Sequence, residues 1–324
     1  RPPAAGKVSG ALRPQTITCA PWRRNTSVMP RPTPLPPPVT KTTRAACATH
    51  FLPEPEWTPK QPVLRQMLGH WWRPASSEQV KPARGRRATM RAMNERPVPE
   101  GRYATLANGH RIHYHDQGEG PALLFLHGSG NGACGHSNFN GNVPALAAAG
   151  YRCIVPDLPG FGYSDKPDLD YHLDVFVDHM VQLLDALGID RCTPVGNSLG
   201  GAVAAQLATV TSPAVLVLEA TFSSILDMTR ELAPWTRVLP MGLLLKTRFD
   251  TVGYVSNSTV PKLIFHGDSD RTVPHTSSER IFAAARPQKK LHLIPGGDHD
   301  GLDLVDPAGY HGILREFLAE HGAL

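Results

Sequence analysis

Apolar and polar residues follow two repeating patterns from residue 103 to near the C-terminus. Short runs of about five residues, apolar throughout or in alternation, predict strands, whereas longer stretches with apolar residues three or four apart predict helices. The predicted strands cover residues 103–107, 111–115, 122–126, 151–156, 191–196, 214–218, 260–265 and 290–294. The predicted helices cover residues 143–149, 173–187, 199–208, 277–285 and 308–320. Strands that alternate with helices in this way are typical of a mostly parallel, doubly wound α/β sheet.

The first two predicted strands are joined by Asn108 and Gly109, a dipeptide typical of tight hairpin turns. The sheet is therefore expected to open with an antiparallel hairpin. The alternating His113 and His115 share one face of the second strand, where a pair of imidazoles can bind a metal. Because no third ligand follows at a suitable spacing, we interpret both as surface residues of the hairpin and predict no metal site.

Residues 1–99 differ in composition from the rest of the chain. They hold 18 of the 32 prolines and show no sustained helical or strand period. They carry 17 of the 33 basic residues and 4 of the 28 acidic ones, a net charge of +13, which leaves −8 for residues 100–324. Such a segment buries too little apolar surface to offset its ordering entropy. We predict a disordered Pro/Arg-rich extension at residues 1–92, non-native or translated from upstream sequence, and one folded domain at residues 93–324.

Several classes of protein are disfavoured by the composition. No stretch approaches the roughly 20 consecutive apolar residues of a membrane span, and no signal peptide is indicated. The five cysteines include no C-x-x-C pair, which disfavours a disulfide framework or a zinc site. The overall charge of +5 describes neither part of the chain and does not indicate a nucleic-acid partner. These features predict a cytoplasmic protein with free thiols and no cofactor, and they leave the oligomeric state open.

The most specific motif is G-N-S-L-G at residues 196–200, a G-x-S-x-G between a predicted strand and a predicted helix. This is the setting of a nucleophile elbow, in which glycines permit a tight turn that raises the serine hydroxyl above the sheet edge at a helix N-terminus. The alternative is an ordinary strand-to-helix turn. The flanking strand, the small-residue helix and Gly201 favour the elbow, with Ser198 as the nucleophile.

A second motif, H-G-S-G at residues 127–130, follows an earlier apolar strand. A loop at this place presents backbone N–H groups to a developing oxyanion, together with the N–H that follows the nucleophile. The N–H groups of Ser129 and Leu199 are therefore the predicted oxyanion hole, and Gly128 and Gly130 are predicted to lie beside the substrate. The alternative is a glycine turn without a ligand. The histidine of the motif is expected to brace the loop rather than to transfer protons.

A serine nucleophile needs a base to take its proton, and the base needs an acid to fix its tautomer. Asp270 follows the predicted strand at 260–265 and His299 follows the last predicted strand, so both are expected at the sheet edge that carries Ser198. Position singles out His299 among the 15 histidines. Glu219 is the second choice for the acid. The carboxyl groups that compete with Asp270 near these loops are Asp268, Asp298, Asp300 and Glu219.

At these residues the chain resembles the α/β-hydrolase superfamily, over about residues 103–322. Residues 109–208, with HGSGNGACGHSNF, PDLPGFGYSDKP and VGNSLGGA, resemble the meta-cleavage-product hydrolases, which cleave carbon–carbon bonds in vinylogous diketones. The resemblance implies two asparagines that flank the oxyanion site and contact the substrate, here Asn138 and Asn197. Asn131 departs from the pattern, since the family usually has proline there.

Residues 214–322, with LVLEATFSSILDM, PKLIFHGDSDRTVP and IPGGDHD, resemble instead the capless serine esterases and thioesterases. The C–C hydrolases carry a large helical cap before the acid-bearing strand, whereas only residues 221–259 are available here, which predicts a short lid. A chain fused from two related halves would have its joint near residues 209–213, where looser packing is expected. Pro194 lies inside a predicted central strand, where proline removes a ladder hydrogen bond.

The predicted architecture is an α/β-hydrolase fold with a mostly parallel, doubly wound sheet, an N-terminal antiparallel hairpin and a short lid. The leading functional hypothesis is a serine hydrolase that cleaves a small-molecule carboxylic ester through an acyl-enzyme. Ser198 would attack, His299 would transfer the proton and Asp270 would orient the imidazole. One alternative is a C–C bond hydrolase of the meta-cleavage-product type, and another is a ligand-binding receptor on a hydrolase scaffold.

Overall fold

The computed structural model describes residues 100–130, 132–238 and 248–323. The predicted extension at residues 1–92 lies outside the described residues. Within the described part, eight strands form one sheet: β1 (Arg102–Thr105), β2 (Arg111–Gln117), β3 (Ala122–Leu126), β4 (Arg152–Pro156), β5 (Cys192–Asn197), β6 (Leu216–Glu219), β7 (Lys262–Gly267) and β8 (Lys289–Ile294).

Nine α-helices are described around this sheet: α1 (Gly135–Phe139), α2 (Asn142–Ala148), α3 (Leu173–Ala186), α4 (Leu199–Thr211), α5 (Ile225–Leu232), α6 (Thr251–Asn257), α7 (Thr276–Ala284), α8 (Leu302–Val305) and α9 (Pro307–Glu320). A 3₁₀-helix at Pro234–Val238 follows α5. None of the described helices has the length and apolar character needed to cross a membrane.

The strand order is β1-β2-β4-β3-β5-β6-β7-β8. The pairs β1–β2 and β2–β4 are antiparallel, and the pairs from β4 to β8 are parallel. The predicted mostly parallel sheet with an opening hairpin is therefore confirmed. Because β3, β5, β6, β7 and β8 run the same way, the loops that follow them all leave the same edge of the sheet.

The core has one hydrophobic cluster on each face of the sheet. Along β3, Leu124 and Leu126 belong to one cluster, while Leu123 and Phe125 belong to the other. This alternation follows from the strand period of two, and burial on both faces is typical of parallel strands that are covered by helices. All four side chains are fully buried. The central strands therefore hold the site-bearing loops on a rigid platform.

The expectation that His113 and His115 lie on the surface was wrong. Their exposed fractions are 7% and 5%, because β2 is an interior strand between β1 and β4. His113 Nδ1 lies 2.9 Å from Asp157 Oδ2, and the ring of His115 packs against that of His136. The described residues contain no group of three or more His, Cys, Asp or Glu side chains that could hold a metal.

The predicted joint near residues 209–213 coincides with the end of α4. The helix ends at Thr211, and the residue that caps it, Ser212, has a left-handed conformation with φ 47°. On either side of this joint, Ala208 and Val215 are buried in the two core clusters. Pro194 pairs with Leu124 of β3, and the ladder to β6 begins only one residue later, at Val195.

The lid is shorter than the predicted span of residues 221–259. Helix α6 lies within that span, but it packs against α4 and α7 and fully buries Val255. It therefore belongs to the helical layer beside the sheet. What remains of the lid in the described residues is α5 and the 3₁₀-helix, and Glu231 of α5 forms an ion pair with Arg280 of α7.

Candidate active site

Ser198 occupies the turn between β5 and α4 with φ 53° and ψ −114°, a backbone conformation that non-glycine residues rarely adopt. The flanking glycines are required by close packing. A Cβ on Gly196 would lie 2.2 Å from Gly200 O, and one on Gly200 would lie 1.9 Å from Leu126 O. This is the geometry of a nucleophile elbow, in which a strained turn presents the serine at the sheet edge.

His299 and Asp270 meet at the same edge, on the loops that follow β8 and β7. His299 Nδ1 lies 2.8 Å from Asp270 Oδ2. Asp270 Oδ1 accepts hydrogen bonds from the backbone N–H groups of Thr272 and Val273, each at 2.8 Å. The acid is thus held by its own loop while its other oxygen faces the histidine, which is the arrangement of a base with its orienting acid.

The electrostatics of this pair favour an ionised acid and a basic histidine. Burial alone would raise the pKa of Asp270, but hydrogen bonds from His266 and His299 hold it well below its usual range. Burial lowers the pKa of His299, yet the hydrogen bond to Asp270 and the charges of Asp270, Asp300 and Asp298 outweigh it and raise that pKa above 6.5. A base that accepts the serine proton must be neutral, so activity is expected to fall in acid.

The H-G-S-G loop is fixed through Gly128. Its N–H donates to Asn138 Oδ1 at 2.8 Å, and its carbonyl oxygen accepts from His127 Nδ1 at 2.6 Å. The other nitrogen of His127, Nε2, accepts from the N–H of Leu158 at 2.9 Å. Burial lowers the pKa of His127, in keeping with a neutral ring that donates once and accepts once. His127 therefore braces the loop, as its sequence position indicated.

The loop lies against the nucleophile. A Cβ added to Gly128 would come within 3.2 Å of both Ser198 Cβ and Asn197 Oδ1. Within the described part of the chain, the N–H groups of Ser129 and Leu199 meet no acceptor. Gly130, by contrast, is exposed, and a side chain added there would meet nothing within 4 Å. The structure thus brings Gly128, but not Gly130, against the nucleophile.

The two asparagines tie the loops of the site together. Asn138 Oδ1 holds Gly128, and its Nδ2 lies 3.4 Å from Asp300 Oδ1, next to the base. Asn197 Nδ2 lies 3.4 Å from His299 O, and among the described residues its buried Oδ1 has no hydrogen-bond partner. Asn138 is therefore engaged in positioning the oxyanion loop, whereas Asn197 offers a free acceptor beside the nucleophile.

The second-choice acid, Glu219, is engaged by Tyr310, and His299 takes Asp270 as its partner. Its Oε1 accepts a hydrogen bond from Tyr310 OH, and Asn142 Nδ2 donates to that hydroxyl at 3.0 Å. Burial raises the pKa of Glu219 to about 8, and the Tyr310 hydrogen bond offsets this rise only in part.

Sequence reasoning missed two other buried residues, His266, which lies beside Asp270, and Ser278, which contacts His266. Their only signals were a histidine directly after a predicted apolar strand and a serine at the start of a predicted helix.

Comparison with known families supports the architecture. A family model described as the alpha/beta hydrolase fold matches residues 121–236. A protein of Mycobacterium tuberculosis (strain CDC 1551 / Oshkosh) without an assigned function is 31% identical over 211 residues, which cover 64% of this chain and 73% of that protein. The fold match and this long alignment both span the elements that carry the elbow.

Two curated relatives have named activities. A 2-hydroxymuconate semialdehyde hydrolase from Pseudomonas sp. (strain CF600) is 46% identical over 111 residues, 34% of this chain and 39% of that protein. A 2-hydroxy-6-oxo-6-phenylhexa-2,4-dienoate hydrolase from Burkholderia cepacia is 48% identical over 99 residues, 30% of this chain and 35% of that protein. This chain therefore spans less than two fifths of the length of either relative.

Solved structures match over a longer part of the chain. The meta-cleavage product hydrolase CumD from Pseudomonas fluorescens IP01 is 26% identical with a TM-score of 0.56, covering 68% of this chain and 98% of that one. A bromoperoxidase from Bacillus anthracis is 25% identical with a TM-score of 0.56, covering 68% and 100%. A thermophilic esterase from Thermogutta terrifontis, 20% identical with a TM-score of 0.54 over 69% and 100%, shares the fold.

Proposed function

This chain belongs to the α/β-hydrolase superfamily, and we propose that it is a serine hydrolase that cleaves a carbon–carbon bond in a vinylogous diketone. The single observation that carries the proposal is the placement of Asn138 and Asn197 around the nucleophile and base, in a region of the chain that resembles the C–C hydrolases. The names of the two curated relatives support the same chemistry. They favour it over the ester hydrolysis that the sequence pattern placed first.

The proposed reaction uses the residues of the site in two steps. Ser198 Oγ attacks a ketone carbonyl carbon while His299 accepts the hydroxyl proton, and the N–H groups of Ser129 and Leu199 bind the oxyanion. When the tetrahedral intermediate collapses, the carbon–carbon bond breaks and its electron pair leaves with the departing carbon as a delocalised enolate. His299 returns the proton to that carbon. Water, deprotonated by His299, then hydrolyses the acyl-serine and releases a carboxylic acid.

A carboxylic ester is the second candidate substrate, and it is favoured by the short connection between β6 and β7. Residues 220–261 make this connection. Part of it, α6, packs in the helical layer beside the sheet and is not available to cover the site. The resemblance to the C–C hydrolases implied a large cap in this place. The first step of ester cleavage uses the same residues, with an alkoxide instead of an enolate as the leaving group, so the leaving group separates the two candidates.

The test compares both substrate classes on the full chain. The kcat/KM for 2-hydroxy-6-oxo-6-phenylhexa-2,4-dienoate is measured beside those for a short and a long p-nitrophenyl ester, with Ser198→Ala as the matched control. We expect the dienoate to be cleaved faster than either ester, and Ser198→Ala to abolish both activities. Circular dichroism of each protein establishes that the variants are folded.

Other outcomes assign the site differently. Faster turnover of an ester would make the protein an esterase and overturn the C–C assignment. Tight binding of the dienoate without turnover, in a folded protein whose Ser198 does not react with a fluorophosphonate, would support a ligand-binding receptor. Turnover that persists in Ser198→Ala would place the chemistry outside the elbow.

A further inference from the structure

A second buried histidine touches the acid of the triad. His266 lies in β7 and is fully buried. Its Nε2 lies 3.1 Å from Asp270 Oδ2 and 2.9 Å from the backbone oxygen of Val273. Both neighbours are acceptors, so Nε2 carries a proton and donates it. Since His299 Nδ1 approaches the same Oδ2 at 2.8 Å, this carboxylate oxygen lies within hydrogen-bond distance of two imidazole nitrogens.

The other ring nitrogen of His266 also has a hydrogen-bond partner. Nδ1 lies 2.5 Å from the hydroxyl oxygen of Ser278, a fully buried residue of α7. With the proton on Nε2, the Nδ1 lone pair accepts from this hydroxyl. Ser278, His266, Asp270 and His299 therefore form one hydrogen-bonded chain that ends at the base.

His266 contacts the carboxylate oxygen of Asp270 that the backbone of the loop after β7 does not hold. Thr272 and Val273 hold Oδ1 of Asp270 through their N–H groups. In the described part of the chain, the side-chain nitrogens that lie within hydrogen-bond distance of Oδ2 are His299 Nδ1 and His266 Nε2. Without His266, the whole negative charge of that oxygen would face His299, and only the catalytic histidine would fix its position.

We propose that His266 is a positioning residue of the triad: its Nε2–H holds Asp270 Oδ2 in line with His299 and shares the charge that Asp270 offers to the base. The assignment rests on the proposed Ser198, His299 and Asp270 triad but on neither substrate class. It predicts that His266 controls the pH at which His299 becomes neutral, because hydrogen bonds to a carboxylate reduce its hold on a neighbouring cation.

The test uses two substitutions at one site. His266→Phe keeps an aromatic ring but removes the donor, whereas His266→Gln keeps an N–H near the position of Nε2. For His266→Phe we expect kcat to fall about tenfold, the effect of one hydrogen bond to a charged group, with KM nearly unchanged. The acid limb of the pH profile should move to higher pH, and His266→Gln should restore most of both properties.

A matched control separates this role from a general effect of removing a buried histidine. His179 is 2% exposed, lies on α3 and hydrogen-bonds the Val175 carbonyl through Nδ1. His179→Gln is therefore expected to alter thermal stability but to leave the acid limb in place. If His266→Phe does not fold, Ser278→Ala decides the question, since it removes the hydrogen bond that holds His266 Nδ1 without emptying the site. We expect Ser278→Ala to move the acid limb in the same direction, by less.

The pH dependence is read from fluorophosphonate labelling of Ser198 as well as from turnover, because labelling needs no knowledge of the substrate. A folded wild-type protein that does not label would overturn the proposed triad and this assignment with it. Normal labelling with an acid limb that stays in place in His266→Phe, or in Ser278→Ala where the first variant is unfolded, would overturn the assignment of His266 alone.

Discussion

Two buried carboxyl groups lie at the same edge of the sheet, yet at neutral pH Asp270 is ionised and Glu219 is neutral. The side chain of Asp270 has no exposed surface, and hydrogen bonds from His266 and His299 outweigh its burial and keep its pKa well below the usual range. Glu219 is also buried, but among the described residues the hydrogen-bond donor to its carboxyl is Tyr310 alone. Burial raises the pKa of Glu219 to about 8, and the charges of Asp303 and Asp300 add to that rise.

The difference shows that hydrogen-bond donors, rather than exposure, decide which carboxyl can act as the acid of the proposed triad. A carboxylate stabilises an imidazolium only while it is ionised. Asp270 is ionised at every pH at which His299 can act as a base. Glu219 keeps its proton up to about pH 8 and is tied to Tyr310 instead. Glu219 is thus part of the core, although it ends the strand beside the one that leads to Asp270.

The largest expected difference between the two carboxyl groups is in kcat, and a pair of isosteric substitutions tests it. Asp270→Asn should lower kcat by roughly ten-thousandfold, because an amide favours the wrong tautomer of the base. Glu219→Gln should leave kcat within about threefold, since it removes a proton-bearing group that does not touch His299. Steady-state kinetics on both variants measure the contrast. Equal losses in the two variants would show that Glu219 shares the role of the acid.

Removing the donor of Glu219 should affect stability rather than catalysis. Tyr310→Phe leaves a buried carboxyl and Asn142 without their shared partner, which should lower the free energy of unfolding by about 1–3 kcal/mol. Tyr163→Phe is the matched control, because Tyr163 is 70% exposed and its loss should cost less than about 0.5 kcal/mol. Urea denaturation measures both values. A loss of activity larger than the loss of folded protein would contradict the separation of core and site.

The protonation of Glu219 should appear as a slope of stability against pH. Its pKa is raised in the folded protein from 4.5 to about 8, so between these values the unfolded chain releases a proton that the folded chain keeps. Stability contributed by this group is therefore present below about pH 4.5 and lost as the pH rises to about 8. Glu219→Gln should flatten the slope in denaturation experiments across that window. An unchanged slope would mean that Glu219 is already ionised at neutral pH.

The smallest expected effect concerns the charges around His299. Asp300 is exposed, and its negative charge helps to raise the pKa of His299. Asp300→Asn keeps a carbonyl oxygen for Asn138 but removes that charge, so the pKa of His299 should fall and the acid limb of kcat/KM should move to lower pH. The shift is measured against Asp306→Asn, which changes a carboxyl that caps α9. A shift of equal size in the two variants would indicate a general effect of net charge.

Much of this comparison could be predicted from the chain. The strand that precedes Asp270, the loop that carries His299 and the elbow at Ser198 all followed from apolar runs, glycines and chain order. Glu219 remained a competitor because it also ends a strand at the correct edge. Its partner, Tyr310, lies 91 residues further on, in a helix whose sequence pattern gives no sign of a link to the carboxyl.

Other misjudged residues have the same cause. The alternation of His113 and His115 shows that they share a face of β2, but not that this strand has a neighbour on each side. The sequence around Val255, within the predicted lid at residues 221–259, does not reveal whether this segment covers the site or packs beside the sheet. His266 follows a run of apolar strand residues, and its contact with Asp270 arises only when the loop after β7 turns back.

The sequence by itself determined the order of the eight strands along the chain, the elbow and the chemical types available at one edge of the sheet. These depend on local periodicity and on turn residues, which act over a few positions. The tertiary structure alone decided which carboxyl is ionised, which asparagine is occupied and which histidine supports the acid. Those properties depend on burial and on hydrogen bonds between residues distant in sequence, and burial gives such bonds their large effect on charge.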